Sequence, residues 1–381
     1  MNNHFRLSRR CSRWLSLLSI SACFLSSAPV GWAQCGPTGR AVFGDIKAKI
    51  VDETSRPLSA VGLYGLGSNT LTPASLTNND GECSILVPAC LDKALCVLYP
   101  NDAFYLYKPG WNFSPVWIPG PDTFRFCNLV TSVTARRAPF TVVSAASYQT
   151  VIAPGSIGSL FATNATILLA SGTLVANQVP LPETLLSTKL TLTAPSATTA
   201  QNARLFYVSP TQVNFAVPST LPFSGFTELT LKNGNTTHAA TALVRRLAPA
   251  LFSMSGSGQG AAAGVVVRVR PNNIQTYEDL TRLDRTTNQW VAVPIDLGPA
   301  NEQVFIALFG TGFRLRSGLD SVAVKIGGTD AQVTYAGEQP TFVGVDQANI
   351  FLPRSLAGRG ELNVALAVEG LAANQVKINI K

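Results

Sequence analysis

The sequence is poor in charged residues and almost devoid of histidine. Charged residues make up 13% of the 381 residues, against roughly 25% in an ordinary soluble domain. The two histidines are His4 and His238, and the 21 acidic residues form no recognisable catalytic constellation. Acid–base and metal chemistry need such groups in clusters. The composition therefore argues against most acid–base and metal-dependent catalytic sites and predicts no metal ion or other cofactor. A secreted hydrolase is the least favoured function.

Two further features are missing after the N-terminal segment. No later apolar run reaches 18 residues without a charge or a turn, so no transmembrane span is expected in the mature chain. Basic residues form no clustered stripe, which argues against nucleic acid as a partner. With 46% hydrophobic residues, the chain has ample material for a packed core, and intrinsic disorder is excluded as well.

The N-terminus has the features of an export signal. Residues 1–33 hold Arg6, Arg9, Arg10 and Arg13 without any acidic residue, and an apolar stretch follows that ends in Gly-Trp-Ala. This pattern predicts a signal peptide cleaved after Ala33 and a secreted or cell-surface location. The four arginines account for half of the formal net charge of +8.

Two variants of this signal remain open. Residues 20–23 (ISAC) loosely resemble a lipobox, which would place a lipid on Cys23. Residues 8–10 (SRR) resemble part of a twin-arginine signal. The sequence does not decide between soluble, surface-attached and lipid-modified forms.

The cysteines of the mature chain are confined to one region, and none follows residue 127. In an exported protein such a cluster predicts structural disulfides. Five cysteines allow at most two bridges, so one thiol is left over and the pairing stays open. The disulfide candidates are Cys35, Cys83, Cys90, Cys96 and Cys127.

Most of the remaining chain has the pattern of short β-strands. Residues 43–52 alternate between polar and apolar side chains, and residues 78–81 (NNDG) are a strong turn signal that leads into another strand. Similar runs bounded by Gly, Pro or Asn recur to the C-terminus, a pattern typical of β-sandwiches. The best helix candidate is the short segment 277–285.

The C-terminal part contains an internal repeat. Residues 159–164 (SLFATN) match residues 307–312 (ALFGTG), and residues 212–218 (QVNFAVP) match residues 347–353 (QANIFLP). The offset is the size of a domain, so the repeat predicts two related sandwiches rather than a solenoid.

Two resemblances to known families follow from these motifs. Residues 46–88 resemble a carboxypeptidase regulatory-like domain, a small transthyretin-like sandwich, through the strand at 46–52, the turn at 77–81 and the strand that ends in Val87-Pro88. The resemblance implies a non-catalytic β-domain related to carbohydrate-binding folds, and it identifies no ligand.

Residues 139–381 resemble the Solibacter-type uncharacterised C-terminal domain of acidobacterial secreted proteins. The motifs that match are SAASY at 144–148, APGS at 153–156, APALF at 248–252, GQGA at 258–261, and the segments 205–218 and 335–353. The chain departs from the family at 268–294, where a longer charged segment stands in place of a short link. This family carries no established activity, so no functional residue follows from it.

Together these observations predict an all-β fold of three tandem β-sandwiches, one transthyretin-like and two immunoglobulin-like. The expected divisions are a signal peptide at 1–33, a disulfide-containing sandwich at 34–138, a sandwich at 139–252, a connecting segment at 253–300 and a sandwich at 301–381.

The strongest candidate for a binding site is an aromatic segment at 104–126, which places eight aromatic residues within 23 positions. Exposed rings of this kind stack on sugars, and the ligand-binding candidates are Tyr105, Tyr107, Trp111 and Trp117. The alternative, which we favour for the segment as a whole, is that the rings pack in the core, where aromatic side chains contribute most burial.

The sequence therefore predicts an exported, non-catalytic binding or adhesion module with polysaccharide or a cell-surface protein as partner. The alternative is a structural spacer or scaffold in a secreted or surface assembly.

Overall fold

The computed structural model describes residues 40–65, 75–92, 95–97, 103–114, 117–119, 124–125, 128–194, 199–223 and 225–381. The predicted signal peptide lies outside the described residues. Among the described residues, no helix is long and apolar enough to span a membrane.

The N-terminal sandwich consists of two sheets. Its strands are β1 (Arg40–Asp52), β2 (Gly62–Gly65), β3 (Ser75–Leu76), β4 (Glu82–Asp92), β5 (Leu95–Val97), β6 (Ala103–Tyr107), β7 (Trp111–Ser114), β8 (Trp117–Pro119), β9 (Phe124–Arg125) and β10 (Asn128–Arg137). One sheet has the order β7-β10-β1-β4-β5-β9 and the other β3-β2-β6-β8. Ile50 and Val133 of the first sheet and Leu106 of the second are buried.

The middle sandwich follows directly. Its strands are β11 (Phe140–Ser144), β12 (Val151–Ile152), β13 (Ile157–Ala162), β14 (Leu174–Val175), β15 (Thr184–Leu185), β16 (Thr188–Thr193), β17 (Gln201–Asn202), β18 (Arg204–Val208), β19 (Gln212–Ala216), β20 (Gly225–Asn233) and β21 (Thr236–Val244). The sheets run β11-β13-β19-β18-β14 and β12-β21-β20-β16-β15, with β17 paired to β16. Both contribute to one core, in which Leu160 and Phe215 pack with Leu229.

The C-terminal sandwich contains the remaining strands and three single-turn 3-10 helices at Pro271–Asn273, Leu319–Ser321 and Arg354–Leu356. Its strands are β22 (Ala250–Leu251), β23 (Gly264–Val269), β24 (Gln275–Asp279), β25 (Thr281–Asp284), β26 (Gln289–Ala292), β27 (Pro294–Ile295), β28 (Gln303–Thr311), β29 (Val322–Ile326), β30 (Thr329–Ala331), β31 (Val333–Glu338), β32 (Asp346–Phe351), β33 (Gly360–Val368), β34 (Leu371–Ala372) and β35 (Val376–Ile380).

Two sheets and a hairpin form this sandwich. One sheet has the order β24-β23-β28-β32-β31, with β22 on β28, and the other β27-β35-β33-β29-β30, with β34 on β33. Strands β25 and β26 form a separate hairpin. Ile306 and Ile350 of the first sheet share a core with Ile378 of the second. The predicted all-β, β-sandwich fold class is confirmed.

The internal repeat has the same strand register in both copies. In the middle sandwich, Ser159 lies opposite Asn214 and Phe161 lies opposite Gln212. In the C-terminal sandwich the matching partners are Ala307 with Asn349 and Phe309 with Gln347. The register shift in each adjoining strand pair precedes a tyrosine, at Tyr207 and at Tyr335. The two sandwiches thus repeat one arrangement of strands.

The segment expected to be helical is extended. Residues 277–285 fall on β24 and β25, and β24 pairs with β23 along its whole length. A nine-residue helix is marginal by itself, whereas the exposed edge of β23 offers backbone partners and accommodates the Thr-Tyr pair at 276–277. The prediction of a helix there was wrong. Part of the segment expected to be connecting, 253–300, is likewise strand in this sheet.

Candidate functional site

The aromatic segment provides the contact between the N-terminal and middle sandwiches. Tyr107 is only 6% exposed. Its ring lies 5.3 Å from that of Phe226, and its hydroxyl donates a hydrogen bond to the Thr150 carbonyl at 3.2 Å. A buried cluster joins Tyr107 to Val151 and Leu243 of the middle sandwich. Tyr107 is therefore not available to a ligand, and its prediction as a binding residue is corrected to a packing role.

The other three candidates are only partly described. Trp111 is half-buried, and the guanidinium of Arg137 lies 4.2 Å from its ring centroid in a cation–π contact. Tyr105 of β6 lies opposite Trp117 of β8 in the backbone register, and the side chains of both lie outside the described part. Their role in ligand binding stays a prediction.

Cys83 is the one predicted disulfide candidate whose side chain is described. It is a free thiol, 7% exposed, on β4 opposite Ala48. Burial raises the pKa of this thiol, which keeps it protonated and unreactive. Its prediction as a disulfide candidate is therefore corrected: Cys83 forms no disulfide in this structure. Cys35 and Cys127 lie outside the described residues, as do the side chains of Cys90 and Cys96, so their pairing stays a prediction.

A shallow groove of about 500 Å³ runs over the outer face of the β24-β23-β28-β32-β31 sheet. We call this outer face, with its groove, the open face. Half of its lining is apolar, from Val265, Val267, Val269, Phe305, Ala307 and Phe309. The other half is Gln275, Tyr277, Gln303, Thr334, Gln347 and Asn349. Outer faces of antiparallel sheets are usually polar, so this apolar floor is unusual and marks a candidate binding surface.

Strand alternation explains how these residues reach the open face. On β23, Val266 and Arg268 point inward and are buried, which turns Val265 and Val267 outward. On β24, Tyr277 points outward and is 70% exposed. Tyr277 therefore stands at the edge of an apolar floor with most of its ring accessible.

A buried arginine holds the edge strand of the open face in place. Arg268 donates from Nε to Glu278 Oε1 on β24 at 2.6 Å, and from Nη1 to Glu302 Oε2 at 3.1 Å. It also donates to the Asp296 carbonyl at 2.6 Å. The pKa of Arg268 is raised above its usual value, mainly by the hydrogen bond to Glu278. Burial opposes this effect, and the carboxylate of Glu302 adds to it. Since Glu278 neighbours Tyr277, this network also fixes the position of the tyrosine.

Two amides on the floor of the open face have unused hydrogen-bonding groups. Gln347 donates from Nε2 to Asn349 Oδ1 at 2.7 Å. In the described part of the chain, no acceptor meets Asn349 Nδ2 and no donor meets Gln347 Oε1. Both side chains are half-buried, so a ligand hydroxyl that bonds to them displaces little bulk water.

The corresponding face of the middle sandwich has a similar arrangement. The same amide pair is present, with Gln212 Nε2 donating to Asn214 Oδ1 at 2.8 Å, but Ser159 Oγ donates to that oxygen as well. The ring of Tyr148 lies 6.0 Å from that of Phe161, which is the counterpart of Phe309. In the C-terminal copy Ala307 replaces Ser159, and β24 extends the sheet beside β23.

A second groove, of about 630 Å³, lies between the middle and C-terminal sandwiches. Some of its polar groups are paired with one another: Asn202 donates to Glu183 at 2.7 Å, and Gln201 accepts from the Thr220 hydroxyl at 2.8 Å.

Arg314 and Asp346 form a buried ion pair at the wall of that groove. Arg314 Nε donates to Asp346 Oδ1 at 2.7 Å, and the Phe313 N–H donates to Asp346 Oδ2 at 2.7 Å. Burial raises the pKa of the Asp346 carboxyl, and the charge of Arg314 opposes that effect. The pair has a structural role, because its donors and acceptors face each other.

Catalytic groups are scarce in the part of the chain that the structure describes. No three His, Cys, Asp or Glu side chains there are grouped to hold a metal ion. His238 lies in β21 opposite Leu231.

No family model matches the chain, and no curated protein matches it. Among solved structures it is similar to the major pilin subunit of Bacillus cereus, with 10% identity, a TM-score of 0.15, and coverage of 73% of this chain and 94% of that one. It is also similar to bovine butyrophilin, with 7% identity, a TM-score of 0.19, and coverage of 64% and 99%. At these TM-scores neither likeness bears on function.

Proposed function

We propose that this protein is an exported, non-catalytic binding module that holds a carbohydrate on the open face of its C-terminal sandwich. The observation that carries the proposal is the combination, in one groove, of an exposed tyrosine ring, an apolar floor and two amides with an unused donor and an unused acceptor. The export rests on the predicted signal peptide.

The chemistry of a polysaccharide chain matches these three features. The C–H face of a pyranose is apolar and stacks on aromatic rings, and Tyr277 at 70% exposure offers such a ring. Gln347 and Asn349 lie on β32, three strands away from Tyr277 on β24, which is about 14 Å at the usual strand spacing. Hydroxyl groups of another sugar unit in the same polysaccharide chain would bond to Asn349 Nδ2 and Gln347 Oε1. Such sites combine an apolar surface with a few convergent polar groups.

Binding of the mature protein, residues 34–381, to a panel of polysaccharides tests this proposal. We expect Tyr277→Ala and Asn349→Ala each to weaken binding about tenfold, a loss of ~1.4 kcal/mol. Asn214→Ala is the matched control, because Asn214 occupies the same register position on the corresponding face of the middle sandwich. Binding that survives both open-face changes would rule out this site.

The aromatic segment provides the competing location. A Trp111→Ala, Trp117→Ala double variant separates the two, because it leaves the open face intact. If the double variant loses binding and the open-face variants keep it, the ligand site lies in the N-terminal sandwich.

The second candidate function is a structural spacer or scaffold in a secreted or surface assembly. The contacts between the middle and C-terminal sandwiches favour it. Ala248 N–H donates to the Gly312 carbonyl at 2.9 Å, and Arg246 bridges to Glu369 and donates to the Leu315 carbonyl at 2.8 Å. A folded protein that binds no polysaccharide, with its sandwiches unfolding in a single transition, would favour this function over the first.

A further inference from the structure

A cationic side chain lies at the β31 side of the open face. Gly337 of β31 lies opposite Gln347, which lines the groove, and opposite residues of an antiparallel pair project from the same face of a sheet. A Cβ added to Gly337 would lie 3.1 Å from Arg316 Nη1 and 3.2 Å from the Tyr335 hydroxyl oxygen. The guanidinium of Arg316 therefore lies on the open face, over the bare backbone of Gly337 and beside Gln347.

This guanidinium has no counter-ion in the part of the chain that the structure describes. Arg316 is half-buried, and its Nε is buried without a hydrogen-bond partner. Two carboxylates of the surrounding segments are engaged elsewhere. Glu338 of β31 accepts from Arg314 Nη1 at 2.9 Å, and Glu369 accepts from the Ser317 N–H at 2.7 Å and forms an ion pair with another arginine. A half-buried charge without a partner has lost part of its hydration without compensation, so it favours an anionic ligand.

The polar groups at this side of the face suit a carboxylate-bearing sugar. Because Nε is buried, the two terminal nitrogens of Arg316 are the ones that a ligand can reach. A guanidinium bonds to a planar carboxylate through two parallel N–H···O bonds, which give orientation as well as strength. The unused Asn349 Nδ2 and Gln347 Oε1 belong to the neighbouring strand, at positions directly or diagonally opposite Gly337 and so about 5–8 Å away. An acidic sugar unit that places its carboxylate on Arg316 therefore has hydroxyl groups within reach of both amides.

A negative charge also lies beside the groove, at its opposite side. Asp279 is exposed and alternates to the same side of β24 as Tyr277. Strand β24 is four strands from β31, about 19 Å at the usual strand spacing. The screening length at physiological ionic strength is about 8 Å, so Asp279 scarcely weakens the attraction of an anion to Arg316. The open face is therefore cationic at its β31 side and anionic at its β24 side.

From this arrangement we infer that the open face binds a polysaccharide with uronic acid units, and that Arg316 bonds to their carboxylate groups. The inference rests on the proposed carbohydrate-binding function and adds the class of carbohydrate. Arg316 serves the acidic unit, whereas Tyr277 and the apolar floor serve the C–H faces of the sugar rings. Removal of the Arg316 charge should therefore reduce the preference for the acidic form of a polymer without abolishing all binding.

The test compares polymers that share one sugar backbone. Polygalacturonate carries free carboxylates, and its highly methyl-esterified form carries almost none; dextran sulfate and galactomannan are the sulfated and the neutral comparison. Binding of the mature protein is measured by calorimetry at about 150 mM and about 500 mM NaCl, because the non-specific attraction of polyanions to a positively charged protein falls with salt.

The variants separate the charge of Arg316 from its geometry and from the charge of the whole protein. Arg316→Gln removes the charge, and Arg316→Lys keeps the charge without the planar fork. Arg282→Gln is the matched control, because Arg282 is exposed on the β25–β26 hairpin, opposite Val291 and outside the groove lining. Tyr277→Ala reports on carbohydrate binding by the open face as a whole.

We expect polygalacturonate to bind the wild-type protein about tenfold more tightly than its methyl ester at both salt concentrations, and Arg316→Gln to remove this preference. Arg316→Lys should keep part of the preference, and Arg282→Gln should leave it unchanged within about twofold.

Other results would overturn the inference. Polygalacturonate that binds no better than its ester, while Tyr277→Ala weakens both, would overturn the acidic class and leave the carbohydrate-binding function standing. A preference that survives Arg316→Gln would overturn the role of Arg316. Binding of dextran sulfate that depends on Arg316, without binding of polygalacturonate, would overturn carboxylate as the recognised group. A folded protein that binds none of these polymers would overturn both proposals.

Discussion

Replacing Thr311 with valine removes one hydroxyl from the junction between the middle and C-terminal sandwiches. Thr311 is fully buried, and its hydroxyl accepts a hydrogen bond from the Ile157 N–H at 3.0 Å and donates one to the Gly344 carbonyl at 2.7 Å. Ile157 belongs to the middle sandwich and Gly344 to the C-terminal one. A single oxygen thus connects the backbones of two sandwiches.

The size of the effect follows from the two backbone groups that valine leaves without partners. A buried polar group that loses its partner costs about 1–3 kcal/mol, and Ile157 is only half-buried, so its cost lies at the lower end. The added methyl group offsets part of this, by about 0.8 kcal/mol. We expect Thr311→Val to lower the free energy of unfolding by about 1–3 kcal/mol.

Thermal unfolding and hydrogen exchange measured by mass spectrometry are the assays. A loss of this size lowers the Tm by several degrees, at about 2–4 °C per kcal/mol for a unit of 150–250 residues. Exchange at the Ile157 amide should accelerate in the variant. Thr329→Val is the matched control, because the Thr329 hydroxyl accepts one bond from Arg359 at the surface. If both variants unfold at the same temperature and the Ile157 amide keeps its protection, the junction does not depend on this hydroxyl and the reasoning is refuted.

Three further predictions concern other parts of the C-terminal half. Asp346→Ala should lower the free energy of unfolding in urea by about 3–5 kcal/mol, because it leaves Arg314 buried without its ion-pair partner. Asp330→Ala, which breaks an exposed ion pair with Lys325, should lower it by less than about 1 kcal/mol. Equal losses in the two variants would contradict this reasoning. The Arg246 guanidinium, together with a backbone N–H, lowers the pKa of Glu369, so its contribution to stability is present above about pH 4.3 and is lost as pH falls through the depressed folded pKa. The stability difference between wild type and Glu369→Gln should therefore shrink in acid, and a difference that grows there would refute the ion pair. Gly258→Ala should destabilise by about 1–3 kcal/mol, because φ is +75° and a Cβ would lie 2.9 Å from a backbone carbonyl; an unchanged Tm would show that the loop can relax.

The fold class is accessible from the sequence because its signals are local. Alternation of polar and apolar side chains reports which face of a strand is buried, and turn residues such as those at 78–81 mark where strands end. The repeat is equally visible, because the Gln-x-Asn motif occurs in both copies, and the matching strand registers at Asn214 and Asn349 follow from it.

The extended conformation of residues 277–285 is not accessible in the same way. The segment is short, charged and without strong alternation, so local preference does not decide its conformation. Its strand conformation comes from the exposed edge of β23, together with the pairing of Arg268 with Glu278 across the two strands. Those partners are ten residues apart and meet only in the folded sheet.

The candidate site illustrates the same division. By itself the sequence determined an all-β architecture, the duplication, and the presence of aromatic and amide side chains at equivalent positions of both copies. Which aromatic rings are accessible was decided by tertiary structure alone. Tyr107 is buried against Phe226 of the middle sandwich, whereas Tyr277, on the edge strand of the C-terminal sandwich, is 70% exposed. The physical reason is that exposure depends on what packs over a side chain, and the covering residues come from distant parts of the chain.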